Sequence, residues 1–367
     1  MSSEFRVPSP EPRFLRIVAC GSVDDGKSTL IGRLLHDAGR VRDDERAALM
    51  RDSARHGTRG GDIDYALLLD GLEAEREQGI TIDVAWRHLQ TATRRYLIAD
   101  CPGHVQYTRN MATGASVADL AIMLVDATKG LLPQTFRHTA IASLFGVRHV
   151  LLAVNKMDRV GYDRATFDGI ADAYRAHAAQ LGLTDVVCIP LSAATGDNLV
   201  SPSPNLPWYD GPDVLRHLES VRVGDRDASV AARLPVQSVL RDADGARWLT
   251  GTLASGHLSV GDTIRIEPAG AIGRLAALTR AGAAADSART GDAVAVRLGD
   301  DLDAGRGDVL VLASAPLAAS DQFAADLLWF DDAPLLPGRR YQLKLGTRSV
   351  GARVGELKSK LDPDTLQ

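Results

Sequence analysis

The run Gly21-Ser22-Val23-Asp24-Asp25-Gly26-Lys27-Ser28 fits the pattern G-x-x-x-x-G-K-[ST]. It follows the apolar run Leu15 to Cys20 directly and opens the helical stretch Leu30 to Ala38. A bland reading is a glycine-rich turn, but this spacing between a strand and a helix is the pattern that cradles phosphate. The glycines let backbone N–H groups wrap a phosphate, and the helix N-terminus adds positive potential. Lys27 is placed to reach the β- and γ-phosphates and Ser28 to ligate Mg²⁺ with its hydroxyl. Whatever else the chain does, this segment must fold as strand, turn and helix.

The rest of the first half agrees with that demand. Short apolar runs recur at Tyr96 to Ala99, Leu120 to Val125, Val150 to Val154 and Val186 to Leu191. Each is too short for a helix and too continuous for a half-wet strand, as expected of strands covered on both faces. Helical stretches between them, Asp163 to Leu181 among the clearest, point to a doubly wound, mostly parallel α/β sheet. After Asp225 the texture changes to short β-type runs separated by Gly and Asp turns: Val236 to Leu240, Trp248 to Leu253, Thr263 to Ile266, Ala293 to Leu298 and Val309 to Leu312. That spacing predicts a small antiparallel β-barrel. Strand-like runs at Ala324 to Phe330 and Tyr341 to Leu345 open a third piece of about 45 residues, few for a core of its own. The expected division is a flexible N-terminus (1–13), an α/β domain (14–224), a barrel (225–316) and an incomplete third β-domain (317–367).

Composition narrows the function classes. With 42 Lys+Arg against 47 Asp+Glu the chain is mildly acidic, a poor match to a general nucleic-acid coat. The three cysteines, Cys20, Cys101 and Cys188, lack disulfide-framework or zinc-ribbon spacing and read as free thiols of a reducing, cytoplasmic compartment. No apolar run is long enough to span a bilayer, and the N-terminus has no apolar segment of the signal-peptide kind.

Three further motifs stand at strand ends. Asp100-Cys101-Pro102-Gly103-His104 follows the second run. A carboxylate there is placed to hold the water shell of Mg²⁺, Gly103 lets a backbone N–H approach the γ-phosphate, and His104 sits where an attacking water is oriented. Asn155-Lys156-Met157-Asp158 caps the Val150 run. Asp158 can accept hydrogen bonds from the N1–H and exocyclic amine of guanine. Adenine offers neither, and an unpaired buried carboxylate is costly. Asn155 ties the loop together and the Lys156 stem covers the base. Ser192-Ala193-Ala194, after Val186 to Leu191, supplies backbone N–H groups for guanine O6. Each motif alone is an ordinary strand-end turn; their order and spacing after the phosphate loop select guanine. Between the phosphate loop and Asp100, the charged stretch Glu73 to Asp83 reads as a plain surface loop or as a switch. Its place in the order of parts favours the switch, whose Thr81 is expected to complete Mg²⁺ coordination when a γ-phosphate is present. The expected ligands are GTP and Mg²⁺, the latter through Ser28, Thr81 and, via water, Asp100.

With these residues in view, the chain resembles the translation-factor class of P-loop GTPases over most of its length. Leu234-Pro235-Val236, Gly251-Thr252-Leu253 and Arg306-Gly307-Asp308 look like the second barrel of that class. Within it, three segments resemble the GTP-binding large subunits of bacterial sulfate adenylyltransferase: Gly21 to Asp37, Asp70 to Asp83 and Gln106 to Ser116. The resemblance implies that GTP hydrolysis drives formation of adenylyl sulfate and pyrophosphate from ATP and sulfate. It places adenylyl transfer on a small partner subunit, in a heterodimer or higher assembly. Val105 departs from the acidic residue that follows the histidine in most of these proteins. These 367 residues contain no second G-x-x-x-x-G-K-[ST] motif, so the adenylyl-sulfate kinase fused to some relatives is not expected among them.

Two other readings compete. An elongation-factor-like module binding aminoacyl-tRNA predicts basic barrel stretches, whereas Gly299-Asp300-Asp301-Leu302-Asp303 is acidic. A GTP switch without a catalytic partner is the third. None of the nine histidines forms a zinc-binding helix pattern, and all but His104 read as surface or packing residues.

Overall fold

The apolar runs of the first half pair side by side. A computed structural model describes residues 13–38, 49–51, 53, 63–68, 83–223 and 230–362. The chain divides into two compact units, Met1–Val223 with Lys360–Gln367, and Gly224–Ser359. In the first unit, β1 (Arg13–Cys20), β2 (Ala85–Gln90), β3 (Arg94–Asp100), β4 (Leu120–Asp126), β5 (His149–Asn155) and β6 (Asp185–Pro190) form one six-stranded sheet in the order β2-β3-β1-β4-β5-β6. All neighbours are parallel except β2, which runs antiparallel to β3. Helices Lys27–Asp37, Thr108–Ala115, Pro133–Leu144, Arg164–Gln180 and Val214–Ser220 link and cover the strands.

The central strands are apolar because both faces are covered. Every residue of β4 is buried, and Leu15, Ile17, Ile98, Leu151 and Ile189 are at most 1% exposed. Apolar runs alone predict no strand at Ala85–Gln90. That edge strand alternates and keeps Trp86 40% exposed, so it lacks the continuous apolar run by which the others are recognised. The helix Arg164–Gln180 starts at an Asp163 N-cap whose carboxylate accepts from Thr166 N at 2.8 Å.

The register brings the carboxyl ends of the parallel strands to one edge. Ala19 pairs with Asp100, Cys20 with Met123, Asp126 with Asn155 and Val154 with Pro190. The motifs at Gly21, Asp100, Asn155 and Ser192 begin at or just beyond those ends, where open α/β sheets bind their ligands.

The second unit holds β7 (Arg233–Pro235), β8 (Ser238–Arg241), β9 (Arg247–Thr252), β10 (His257–Ser259), β11 (Thr263–Glu267), β12 (Ile272–Arg280), β13 (Ala283–Ala285), β14 (Ser287–Arg289), β15 (Ala293–Leu298) and β16 (Val309–Leu312). Its main sheet is antiparallel, in the order β7-β16-β11-β12-β15-β9-β8. Arg233 bridges Ser255 and Gln237 N donates to Thr250 O at 2.7 Å, so the two ends of that path meet as in a barrel. Leu234, Val236, Ile264, Ile266, Val296 and Leu310 fill the interior.

Two expectations need correction here. The run expected at Val236 to Leu240 is strand only from Ser238 onward, in β8, because at Val236-Gln237 the chain passes from β7 at one end of the sheet path to β8 at the other. The segment Ala324 to Phe330 is not a strand. It joins none of the sheets formed by the described residues, and Leu327 and Trp329 stay 61% and 42% exposed. The hairpin β17 (Arg340–Leu345) and β18 (Arg348–Arg353) does form, and Thr347 Oγ1 at its turn donates to Val236 O at 2.8 Å.

Candidate functional site

The loop after β1 is wound around its own lysine. Lys27 Nζ donates to the carbonyls of Gly21 at 3.1 Å and Ser22 at 2.8 Å. Only 7% of Lys27 is exposed, and burial pulls its pKa below the usual lysine value, while the Asp100 and Asp25 carboxylates push back. Asp25 Oδ2 accepts from Ser22 N at 2.5 Å, which closes the turn from the other side. Burial raises the Asp25 carboxyl above its ordinary value, against the opposing pull of Lys27.

Asp100, at the end of β3, accepts from Ser28 Oγ at 3.2 Å. A carboxylate and a hydroxyl side by side beside a phosphate loop are the hard oxygen donors that Mg²⁺ takes alongside phosphate and water. The residues present thus fit the ion. Thr81 lies outside the described residues. Gly103 presses on the phosphate loop: a Cβ there would lie 2.5 Å from Lys27 Nζ, 2.8 Å from Ser22 C and 2.9 Å from Gly21 O. Only glycine permits that approach. Cys101 and Pro102 are buried behind it, and burial drives the Cys101 thiol far up, which makes it a packing group. His104 is exposed, and its Nδ1 accepts from Gln106 N at 3.3 Å, leaving Nε2 for an outside partner.

Asn155 joins three loops. Its Nδ2 donates to the Asp25 carbonyl at 2.7 Å, and its Oδ1 accepts from Lys156 N at 2.8 Å and Ala193 N at 2.9 Å. The Ala193 N–H, expected to serve guanine O6, is engaged by Asn155 instead. Lys156, in a left-handed conformation, donates from Nζ to the Asp24 carbonyl and to Asp126 Oδ2 at 2.7 Å. Met157 is buried and bonds Leu191 O through its N–H at 3.2 Å. Buried Asp158 Oδ1 and Ser22 Oγ have no hydrogen-bond partner among the described residues. Such atoms fit a ligand that brings donors to Asp158 and a phosphate acceptor to Ser22.

The structure thus gathers the phosphate loop, the Asp100 loop, the Asn155 loop and the Ser192 loop around one edge of the sheet. Val23 makes no side-chain polar contact among the described residues. Sequence reasoning missed Asp126, which is 2% exposed and also accepts from Thr128 N at 2.9 Å and Thr128 Oγ1 at 2.7 Å. Those bonds hold its carboxyl below the usual range against the opposing effect of burial. Its signal was present: an Asp at a strand end followed two residues later by Thr is an Asx-turn pattern. Asp197 was missed as well. Its carboxylate accepts from Tyr162 OH at 2.8 Å, from Asn205 Nδ2 at 3.1 Å and from the hydroxyls of Thr195 and Ser203. A cavity of about 380 Å³ in the second unit, lined by Arg241, Arg247 and Arg297 among others, contains none of the residues assigned from sequence.

Comparison with known proteins agrees with this geometry. Residues 12–240 match the family described as "Elongation factor Tu GTP binding domain", and residues 322–367 match "GTP-eEF1A C-terminal domain-like". The chain is 54% identical over 353 residues to "Bifunctional enzyme CysN/CysC" of Xylella fastidiosa, covering 96% of this chain and 57% of that protein. It is 49% identical over 354 residues to "Sulfate adenylyltransferase subunit 1" of Laribacter hongkongensis, covering 96% of this chain and 74% of that protein. The chain therefore spans little more than half of the bifunctional relatives it matches. Among solved structures, the GTP-bound Ski7 GTPase-like domain of S. cerevisiae shares the fold, with a TM-score of 0.54 at 18% identity over 96% of this chain and 87% of that one. A GTP-binding domain of the elongation factor Tu type on a chain so close to these curated relatives has one placement: it belongs to the sulfate adenylyltransferase subunit 1 family of translation-factor GTPases.

Proposed function

We propose that this chain binds and hydrolyses GTP and couples that hydrolysis to formation of adenylyl sulfate and pyrophosphate from ATP and sulfate. Adenylyl transfer takes place on a smaller partner subunit, in a cytoplasmic heterodimer or larger assembly. The single observation that carries this reading is the identity to relatives named sulfate adenylyltransferase subunit 1. Those names favour sulfate activation over tRNA delivery. No helix among the described residues is long and apolar enough to cross a membrane.

In this reading Gly21 to Ser28 hold the phosphates, with Lys27 turning its ammonium from the Gly21 and Ser22 carbonyls toward the β- and γ-phosphates. Ser28, Thr81 and, through water, Asp100 hold Mg²⁺, which when bound neutralises charge on the β- and γ-phosphates. Gly103 offers its N–H to the γ-phosphate, and His104 orients the attacking water. Asp158 reads N1–H and the 2-amine of guanine, and the Ser192-Ala193-Ala194 loop faces O6 with Ala193 already held by Asn155. The chain divides in this reading into 14–224, 225–316 and 317–367, of which residues 225–359 belong to the second compact unit.

The test combines the purified chain with candidate small subunits and follows pyrophosphate release from ATP and sulfate. The expected result is release that requires both the partner and hydrolysable GTP. Release unaffected by GTP, or tight tRNA binding with no release under any pairing, contradicts the proposal.

A further inference from the structure

Arg33, on the helix Lys27–Asp37 that begins at the phosphate loop, reaches in three directions. Its Nε donates to Asp37 Oδ2 at 2.7 Å, along its own helix. Its Nη1 donates to the Ala194 carbonyl at 3.0 Å and its Nη2 to the Thr195 carbonyl at 3.2 Å. Its Cζ stands 4.7 Å from the centroid of the Tyr65 ring. The side chain is 19% exposed, with the bond to Ala194 part-buried and the bond to Thr195 open to water. The neighbouring backbone leaves room for it: a Cβ on Gly196, whose φ is 92°, would lie 2.7 Å from Nη2.

Two successive carbonyls held by one planar guanidinium fix the peptide planes on either side of Thr195. The same loop is held at Ala193 by Asn155, so it is pinned from the sheet and from the helix. A lysine cannot copy this grip, because a point ammonium lacks the fork that spans two carbonyls and a carboxylate together.

We propose that Arg33 is a positioning residue for guanine recognition: through the Ala194 and Thr195 carbonyls it holds the Ser192–Gly196 loop against the six-position of the base. This rests on the guanine-nucleotide reading above. Arg33 acts through the loop, so its loss weakens the response to the base carbonyl while leaving the phosphate contacts alone.

The test measures dissociation constants of the full chain for GDP and for 2-aminopurine riboside diphosphate, which keeps the 2-amine and lacks the 6-oxygen and with it the N1–H. The N1–H difference is common to wild type and variants, so the change in preference between them reports the six-position. Wild type is compared with Arg33→Met, Arg33→Lys and Gly196→Ala. In Arg33→Met, GDP binding falls about tenfold while the analogue is held within about twofold, so the preference for the 6-oxo base shrinks. Arg33→Lys shifts the preference in the same direction, and it carries the test if the methionine variant does not fold. Gly196→Ala, which crowds the guanidinium from the loop side, gives the same selective loss. An equal fall for both nucleotides, as general loosening of the fold produces, or no change in either, overturns the inference. Wild type holding ADP as well as GDP overturns the guanine reading itself, and the inference with it, before any variant is made.

Discussion

The side-chain amide of Asn155 donates to the backbone carbonyl of Asp25 at 2.7 Å, tying the loop after β5 to the phosphate loop across 130 residues of sequence. The other end of that amide holds Ala193 and Lys156. One buried side chain thus sets the spacing between the phosphate cradle and both loops assigned to the base. Replacing it with alanine strands the Ala193 N–H and the Asp25 carbonyl, each worth about 1–3 kcal/mol when left unmet. Asn155→Ala is expected to weaken GDP by at least about a hundredfold in equilibrium titration.

Gly103 is the point where the Asp100 loop touches the phosphate loop. In Gly103→Ala the new methyl meets Lys27 Nζ and the Ser22 and Gly21 backbone within 3 Å, and the backbone cannot yield as a flexible side-chain tip does. GTP affinity is expected to fall about tenfold or more, and GDP less, because the loop serves the γ-phosphate. Parallel titrations with the two nucleotides check the difference.

Among the described residues, His104 makes no polar contact with the phosphate loop, and its Nδ1 accepts from the nearby Gln106 N–H. His104→Ala should therefore leave GTP affinity nearly intact and slow hydrolysis by roughly tenfold or more, the low end for a positioned water-orienting group. Single-turnover hydrolysis in the assembled complex reads this directly, and unchanged turnover removes His104 from catalysis.

His138 supplies a pH dependence from outside the nucleotide motifs. It is fully buried, its Nε2 faces the Gln134 amide nitrogen at 2.8 Å, and burial lowers its pKa from 6.5 to about 3. The unfolded chain takes up a proton near pH 6.5 that the folded chain refuses. The stability this site contributes is whole above 6.5 and is lost as pH falls toward 3, by at most about 1.4 kcal/mol per pH unit. Urea unfolding of His138→Gln across that window should show a shallower loss than wild type. His177 and His217, also lowered by burial, keep the residual slope from vanishing.

Much of this arrangement was legible in the chain itself, because doubly covered strands write continuous apolar runs and their ends carry the motifs. What escaped had weaker writing. The edge strand Ala85–Gln90 is half wet and charged, and the long β12 alternates between buried and exposed residues over much of its length. The Ala324 to Phe330 run has strand composition, but composition cannot supply a pairing partner. At the site, Asp126 and Arg33 act by holding Lys156 and the Ala194 carbonyl from distant elements. Contacts of that kind depend on which strand ends the register brings together, and a linear motif does not record it.

The most direct test of the account is a titration of wild type and Asp158→Asn with GDP and with xanthosine diphosphate. Asp158 Oδ1 is a buried acceptor with no partner among the described residues, so it suits a base that brings donors. The amide of the variant can donate to a 2-oxo group instead. The account predicts that wild type holds GDP far more tightly than the xanthine nucleotide and that the variant reverses this order. A variant that keeps its GDP affinity and still rejects xanthosine diphosphate contradicts it.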